Sequence, residues 1–151
     1  YYASEGVAGD FTHIQRIADR LEALSCGVAP EPLRPLLWFL AAFHGLSEKM
    51  QNDETLRVRT AEFLKSLNWT DGQVERAFRS LARHAETPMT VEEMIVHDAD
   101  RCELLAAAGP DPDNAEALYQ ADFRTPVGRR WATQYRGRFA LRLVYVYDGF
   151  E

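Results

Sequence analysis

Cysteine is scarce in this chain, and the two cysteines form no recognisable motif. Cys26 and Cys102 lie far apart in the 151 residues, and the sequence contains no CxxC pair. This spacing argues against a disulfide framework and against a cysteine-based zinc site. We expect two reduced, half-buried thiols, as in a cytoplasmic protein.

Long hydrophobic runs are also missing. No apolar stretch reaches 18 residues, and the first five residues lack the basic and apolar regions of a secretory signal. We therefore expect a soluble, cytoplasmic protein that has no membrane partner.

Positive charge is in deficit, with 17 lysines and arginines against 23 aspartates and glutamates and a formal net charge of −6. A protein that binds a nucleic-acid polymer normally presents a basic surface that displaces counterions from the phosphates. The composition argues against such a partner. It is compatible with a small phosphate ligand held through a metal ion.

What the sequence does contain is hydrophobic residues at helical spacing. They make up 46% of the chain, which is enough for one buried core. The chain of 151 residues is too short for two ordinary domains. We expect residues 1–151 to form a single all-α domain, a bundle of six or seven helices. The predicted helices run from a cap at Asp10 to Gly27, from about Leu33 to His44, from Asp53 to Leu67, from Thr70 to about Ala85, from Thr90 to about Ala107, from about Asn114 to Asp122, and from about Pro126 onward.

Two of these helices begin with a capping-box pattern, at Thr70 and at Thr90. The second helix is apolar nearly all round, which predicts a position at the centre of the bundle. Residues 139–147 are rich in β-branched and aromatic side chains, so propensity alone allows a strand there. We predict a helix because the sequence shows no partner strand.

Two histidines on different helices are candidate metal ligands. His44 ends an apolar run, so its imidazole is expected to be partly buried and to need a partner. His13 near the start of the first helix is weaker evidence, since a lone helical histidine is more often a surface or core residue. Imidazole favours transition metals, whereas carboxylate suits harder ions such as Mg²⁺.

The carboxylates come from one late segment that contains two aspartates. Asp98 and Asp100 lie two positions apart, about 200° around a helix, so they are not expected to face one metal ion together. Asp100 is the better candidate ligand, while Asp98 is expected to pair with a cation or to cap backbone groups. His97 shares a helical face with Asp100 and is a candidate for a supporting or substrate contact. His84 has the same ambiguous status.

Four segments in order resemble one known family. They are residues 9–17 (GDFTHIQRI), 40–45 (LAAFHG), 93–101 (EMIVHDADR) and 125–130 (TPVGRR). Together they resemble the HD superfamily of metal-dependent phosphohydrolases, in particular its small bacterial branch that includes nucleotide pyrophosphohydrolases. The resemblance runs from about residue 9 to the end of the chain, and its most specific parts are the first and third segments.

The resemblance implies a ligand set and a substrate class. It implies that His13, His44 and Asp100 bind a divalent Mn, Fe or Mg ion, and that His44 and Asp100 take part in catalysis. The implied partner is a nucleotide or another small phosphorylated metabolite. Lys49 and Arg101 are then expected near its phosphates, and His84 is a further candidate contact.

The chain departs from the family pattern at one position. The aspartate of the His-Asp doublet should stand at position 45, and the residue there is Gly45. Glycine offers no ligand atom, and losing even an outer partner of a metal costs about 10- to 100-fold in affinity or activity. Glu48 could compensate only if the helix continued past Gly45, which would place it on the face of His44.

Three hypotheses follow. The first is an active phosphohydrolase, and the second is an inactive relative that binds a nucleotide or metal as a sensor. The third is a helical interaction domain, which exposed aromatic side chains at Trp69, Trp131, Tyr145 and Tyr147 would favour. The sequence leaves the oligomeric state open.

Overall fold

A computed structural model describes residues 11–84, 87–108 and 123–133, and all regular secondary structure in these ranges is helical. The helices are α1 (Phe11–Ser25), α2 (Arg34–Phe43), α3 (Ser47–Asn52), α4 (Glu54–Ser66), α5 (Asp71–Arg83), α6 (Val91–Ala108) and α7 (residues 126–133), and a 3-10 turn, His44–Leu46, lies between α2 and α3. They pack as one bundle. The predicted all-α fold is confirmed.

Helix α6 is the element around which the bundle is arranged. It packs most extensively against α1 and α2, and α5 closes the bundle by packing against α2 and α6. From α1 the core receives Ile17, Leu21 and Leu24, at the spacing of one helical face. Residues Ile95, Val96 and Ala99 of α6, all fully buried, lie in the same core.

The first helix ends where the sequence predicts. After Ser25 the chain turns at Gly27, whose φ of +80° is a left-handed conformation that favours glycine. Helix α2 then starts at Arg34 with Pro35 in its first turn, where the missing proline N–H costs no hydrogen bond.

Helix α2 is less buried than its sequence predicts. Six of its residues lie in the core, but Trp38 is 52% exposed and Pro35 is also exposed. The prediction of a helix buried on all sides is therefore wrong for one face. Apolar character around the whole helix does not identify which face the neighbouring helices leave uncovered.

The two predicted capping boxes differ in the structure. At the start of α5, Thr70 Oγ1 accepts from the Gln73 N–H and the Gln73 side chain accepts from the Thr70 N–H. At the start of α6, Thr90 Oγ1 accepts from the Glu93 N–H at 3.4 Å and the Thr90 hydroxyl donates to the Glu93 carboxylate, but this carboxylate accepts no hydrogen bond from the Thr90 N–H. The second box is therefore only half formed.

The Glu93 carboxylate also ties α6 to α5. It is fully buried and accepts two hydrogen bonds of 2.9 Å from the Arg83 guanidinium and one of 3.2 Å from Ser80, in addition to those from the Thr90 hydroxyl and the Met89 N–H. A buried carboxylate needs such charged partners to offset its desolvation. The pair fixes the end of α5 against α6, and His84 follows directly as the C-cap of α5.

A second, smaller cluster joins α7 to α1 and α6. Cys102 and Phe123 are buried there, and Trp131 packs against them. Arg20 lies 5.7 Å from the centre of the Trp131 ring and donates to Glu103 at 2.8 Å. Trp131 is thus half-buried and packs against this second cluster, and Trp69 is half-buried and packs against the main core. Neither side chain contributes to an exposed aromatic surface.

The two cysteines differ in environment. Both are free; Cys26 is exposed, and Cys102 is buried. Burial raises the pKa of the Cys102 thiol to about 12. The expectation of two half-buried thiols is therefore wrong for each residue, although their separate, unpaired state is as expected.

One helix was missed, and two predictions lie outside the described residues. Helix α3 follows the 3-10 turn directly, where the sequence analysis placed no helix. The predicted helix at Asn114–Asp122 and segment 139–147, with Tyr145 and Tyr147, lie outside the described residues. Within the described ranges, no helix has the length and apolarity needed to cross a membrane.

Candidate metal centre

Three predicted ligands from three elements come together. His13 lies near the start of α1, His44 opens the 3-10 turn after α2, and Asp100 lies in the middle of α6. The Nε2 atoms of the two histidines are 3.3 Å apart. The Oδ1 atom of Asp100 lies 3.6 Å from Nε2 of His13 and 3.9 Å from Nε2 of His44.

The spacing of these three atoms fits a divalent metal ion. All three lie within 4.8 Å of one another. The equidistant point in their plane lies about 2.1 Å from each atom, close to the roughly 2.0 to 2.2 Å of metal bonds to imidazole and carboxylate. The group formed by His13, His44 and Asp100 could therefore hold a metal ion without a large rearrangement.

The His44 ring is oriented by the backbone of its own helix. Its Nδ1 lies 2.8 Å from the Ala41 carbonyl oxygen, which can only accept, so Nδ1 carries the proton. Nε2 is then the nitrogen with a free lone pair, and it faces His13 and Asp100. A hydrogen bond on the opposite nitrogen is the usual way in which a protein orients a metal-binding histidine.

The three side chains differ in exposure. The His44 side chain is 8% exposed, whereas those of His13 and Asp100 are 33% and 34% exposed. A ligand from solvent would therefore approach between α1 and α6. The buried His44 forms the floor of the group.

His84 lies beside His44. Its ring lies edge-on to that of His44, with the ring centres 6.3 Å apart. Its Nδ1 donates to the Leu81 carbonyl at 2.6 Å, and the residue is 3% exposed. Burial is the main reason that the pKa of His84 lies below its ordinary value, with smaller contributions from nearby His44 and His97. The ring is therefore neutral at pH 7.

Asp98 faces away from the three-residue group and binds the start of α7. Its fully buried carboxylate accepts from the N–H groups of Arg124 and Thr125 and from the Thr125 hydroxyl, at 2.7 to 3.1 Å. This is the backbone-capping role expected for Asp98. His97 also contributes, because its Nδ1 lies 3.1 Å from Asp98 Oδ1. His97 is thus buried against Asp98, and a substrate contact by this residue has no support in the geometry.

The chain after His44 continues as helix, but with a bend on each side of Gly45. Phe43 (φ −108°, ψ 2°) and Leu46 (φ −103°, ψ 9°) depart from α-helical geometry, and α3 begins at Ser47. Gly45, Glu48 and Lys49 line an open cavity of about 510 Å³, together with Asn52 and Asp53.

The other predicted site residues, Glu48, Lys49 and Arg101, do not join the group of three ligand atoms. Lys49 and Glu48 are exposed on α3, and Glu48 does not belong to the group of three close ligand atoms. Arg101 follows Asp100 on α6 and is partly buried. The roles of Lys49 and Arg101 toward a phosphate stay predictions.

The sequence analysis missed the proximity of His84 to His44. Forty residues separate them, and their contact depends on how α5 is held against α6. The sequence has four histidines, and this number is the one indirect indication that some of them lie close together. His13, His44 and His84 follow one another in ring contact, and His97 lies near enough to influence the pKa of His84.

Comparison with known proteins adds no assignment. No family model, curated protein or solved structure gives a significant match to this chain.

Proposed function

We propose that this protein is an HD-type, metal-dependent phosphohydrolase that acts on a nucleotide or another small phosphate ester or anhydride. The observation that carries the proposal is the group of His13, His44 and Asp100, whose ligand atoms lie 3.3 to 3.9 Å apart. This group unites the three residues that the family resemblance implies as ligands. They come from distant parts of the sequence.

The donor set suits phosphate chemistry. A bound divalent cation would supply Lewis acidity toward a phosphoryl oxygen and make a water molecule a stronger nucleophile near neutral pH. The protein contributes by fixing its donors: the Ala41 carbonyl orients His44, and packing against α1 and α2 fixes α6, which carries Asp100. The exposed side of the group leaves room for the phosphate to enter beside His13.

The surroundings favour a small substrate over a polymer. The cavity beside Gly45 is lined by Lys49 but also by the acidic residues Glu48 and Asp53. An extended phosphate backbone would meet repulsion from these carboxylates and from the chain's net charge of −6. In this proposal Lys49 and Arg101 contact the phosphates of a nucleotide or similar metabolite.

A second function is supported by Gly45. Position 45 offers no carboxylate to hold an ion or a water molecule, so a protein that binds metal and nucleotide without hydrolysing it is the alternative. Such a protein would act as a sensor. The scaffold and the three donors are the same in both cases, and only turnover separates them.

The test is the Mn²⁺-dependent hydrolysis of a panel of nucleoside triphosphates. Three proteins are compared: the chain itself, Gly45→Asp and, as the inactive control, His44→Ala. Release of phosphate or pyrophosphate by the unmodified chain above the control supports the hydrolase. Activity in Gly45→Asp alone supports the sensor, because the scaffold then lacks only one ligand.

The sensor makes a separate prediction for the unmodified chain. A ligand that binds only the folded state increases the free energy of unfolding, by about 2.7 kcal/mol at a ligand concentration of 100 times its Kd. The melting temperature rises as a result. Melting curves with Mn²⁺, with each nucleotide and with both together would show this rise. Absence of both turnover and a melting shift would refute the two functions together.

A further inference from the structure

We propose that Arg16 and Arg20 form a second phosphate-binding site beside the metal centre, so that the ligand of this protein carries two or more linked phosphates. This inference rests on the proposed function, because it names the substrate class of the same site. One phosphate binds at the metal centre, and the next one along the chain of phosphates binds the two arginines.

The two arginines lie on the same pair of helices as the metal centre. On α1 they follow His13 by three and seven residues, the spacing of one helical face. They are therefore about 4.5 and 10.5 Å from His13 along the helix axis. On α6, Glu103 follows Asp100 by three residues and pairs with both arginines, as Asp100 pairs with His13. The arginine pair thus comes next to the metal centre in the space between α1 and α6, where a ligand approaches.

Each arginine uses one donor nitrogen on the protein and keeps the others free. Nε of Arg16 and Nε of Arg20 each donate to a different oxygen of Glu103 at 2.8 Å. Within the part of the chain that the structure describes, the Nη groups of both arginines make no hydrogen bond. The two side chains are 49% and 31% exposed. A guanidinium has five N–H donors, so most of those on each arginine are free for a ligand.

The protein holds these guanidinium groups in place before any ligand binds. The Glu103 side chain is only 10% exposed and anchors both of them, and Arg20 also lies over the ring of Trp131. Groups fixed in this way lose little conformational entropy on binding. Two guanidinium groups and one carboxylate leave one positive charge in excess, in a chain whose net charge is −6.

The chemistry of this pair suits a phosphate group. The planar guanidinium of arginine matches two oxygens of one phosphate with parallel N–H donors, and such charge-assisted hydrogen bonds are about twice as strong as neutral ones. A single phosphate at His13 and Asp100 lies about two helical turns from the backbone of Arg20. A chain of phosphates extends from the metal centre toward both arginines. We therefore expect binding to strengthen from one phosphate to two.

The experiment is a calorimetric titration in the presence of Mn²⁺ with inorganic phosphate, methylenediphosphonate and α,β-methylene-ADP. In the last two probes a methylene group replaces the oxygen between the phosphorus atoms, so this link cannot be hydrolysed. The proteins are the unmodified chain, Arg16→Gln and Arg34→Gln. Arg34 is the matched control, because it is an exposed arginine that pairs with a glutamate, Glu22, elsewhere on α1. All proteins are compared at the same free Mn²⁺ concentration, so the affinity of the probes for the ion cancels.

The unmodified chain should bind methylenediphosphonate at least about 10-fold more tightly than phosphate, and Arg16→Gln should weaken its binding by about 10- to 100-fold. These factors correspond to the loss of hydrogen bonds to a charged group. Arg20 still pairs with Glu103 in this variant, so its melting temperature, its Mn²⁺ affinity and its phosphate affinity should match those of Arg34→Gln. If Arg16→Gln keeps the affinity for methylenediphosphonate, or loses affinity for all probes and Mn²⁺ alike, the arginines have only a structural role and the proposal is wrong.

The remaining outcomes separate this inference from the proposed function. If the unmodified chain binds Mn²⁺ but binds phosphate and methylenediphosphonate equally tightly, the second phosphate site fails and the metal centre stands. If it binds neither Mn²⁺ nor any probe, both fail. The third probe identifies the source of the phosphates: tighter binding of α,β-methylene-ADP than of methylenediphosphonate supports a nucleoside diphosphate or triphosphate, and equal binding supports an inorganic chain of phosphates at the same site.

Discussion

Replacing Gly128 with alanine should destabilise the fold strongly, although alanine is the better helix former. Gly128 is the third residue of α7, and its N–H donates to Thr125 Oγ1 at 3.0 Å. An added Cβ would lie 2.4 Å from Oδ2 of Asp98 and 2.8 Å from Thr125 Oγ1. Both contacts are too short, so at least one neighbour has to move.

The neighbour cannot move cheaply. The Asp98 carboxylate is fully buried and accepts from two backbone N–H groups, a hydroxyl and His97. Overpacking costs about 1 to 3 kcal/mol, and each hydrogen bond to a charged group that is lost costs about 1.5 to 3 kcal/mol. Alanine returns up to about 1 kcal/mol of helix propensity. We expect a net loss of about 2 to 4 kcal/mol, a fall in Tm on the order of 10 °C for a chain of this size.

Urea and thermal unfolding followed by circular dichroism would measure the loss. Gly72→Ala is the matched control, since Gly72 lies in the first turn of α5 behind its own threonine cap, and its Cβ would approach Thr70 Oγ1 only to 4.0 Å. The control should be neutral or stabilised by up to about 1 kcal/mol. If Gly128→Ala unfolds within about 0.5 kcal/mol of the unmodified chain, a range typical of innocuous surface changes, the account of Asp98 as the fixed anchor of α7 is wrong.

Three further predictions concern charges and thiols away from the metal centre. Glu93→Gln should cost about 2 to 4 kcal/mol in urea unfolding, because the guanidinium of Arg83 loses its buried ionic partner; a loss below 1 kcal/mol would contradict this. Burial alone would raise the pKa of Glu103, but hydrogen bonds from its two arginine partners outweigh it and hold that pKa below its ordinary value. The stability that Glu103 provides is therefore present above the unfolded pKa of about 4.3 and is lost as the pH falls below it. In unfolding curves measured at a series of pH values, Glu103→Gln should reduce the fall in the free energy of unfolding at acidic pH. In the native protein a thiol reagent should label exposed Cys26 and spare Cys102, whose pKa is raised to about 12, and mass spectrometry should find both labelled only after unfolding.

Local signals predicted most of the helices well. The Thr70 capping box starts α5, and Gly27 follows α1 after a single residue, because caps and left-handed turns are fixed by neighbours in sequence. Helix α3 was missed because it gives no such local signal. Its six residues have too few turns to show an apolar period, and the Gly45 that precedes them suggested an end to the helix.

Burial was predictable only where the period was clear. On α1 the apolar residues Ile17, Leu21 and Leu24 recur at helical spacing and are buried, but on α2 the exposed Trp38 was assigned to the interior. A helix that is apolar all round carries no directional signal. The choice between its faces is made by α5 and α6, which pack on it from positions far along the chain.

The candidate site was predictable to the extent that it follows from helix geometry and a resemblance. The resemblance supplied His13, His44 and Asp100, and the structure brings their ligand atoms together. The placement of His84 was not predictable. It depends on the buried Arg83–Glu93 pair, whereas the Thr90–Glu93 spacing had suggested only a local capping partner for that glutamate.

The two aspartates of α6 show how stability and function are connected in this fold. They lie about 200° apart on the helix, so any rotation that turned Asp98 toward the metal centre would turn Asp100 away from it. The bonds that Asp98 makes to the start of α7 fix the rotation of α6 from the far side. Asp100 therefore faces His13 and His44 without needing an ion to hold it there. A donor group fixed in this way loses little conformational entropy when it binds an ion. In the proposed metal centre, this saving would offset part of the affinity that an aspartate at position 45 would have contributed.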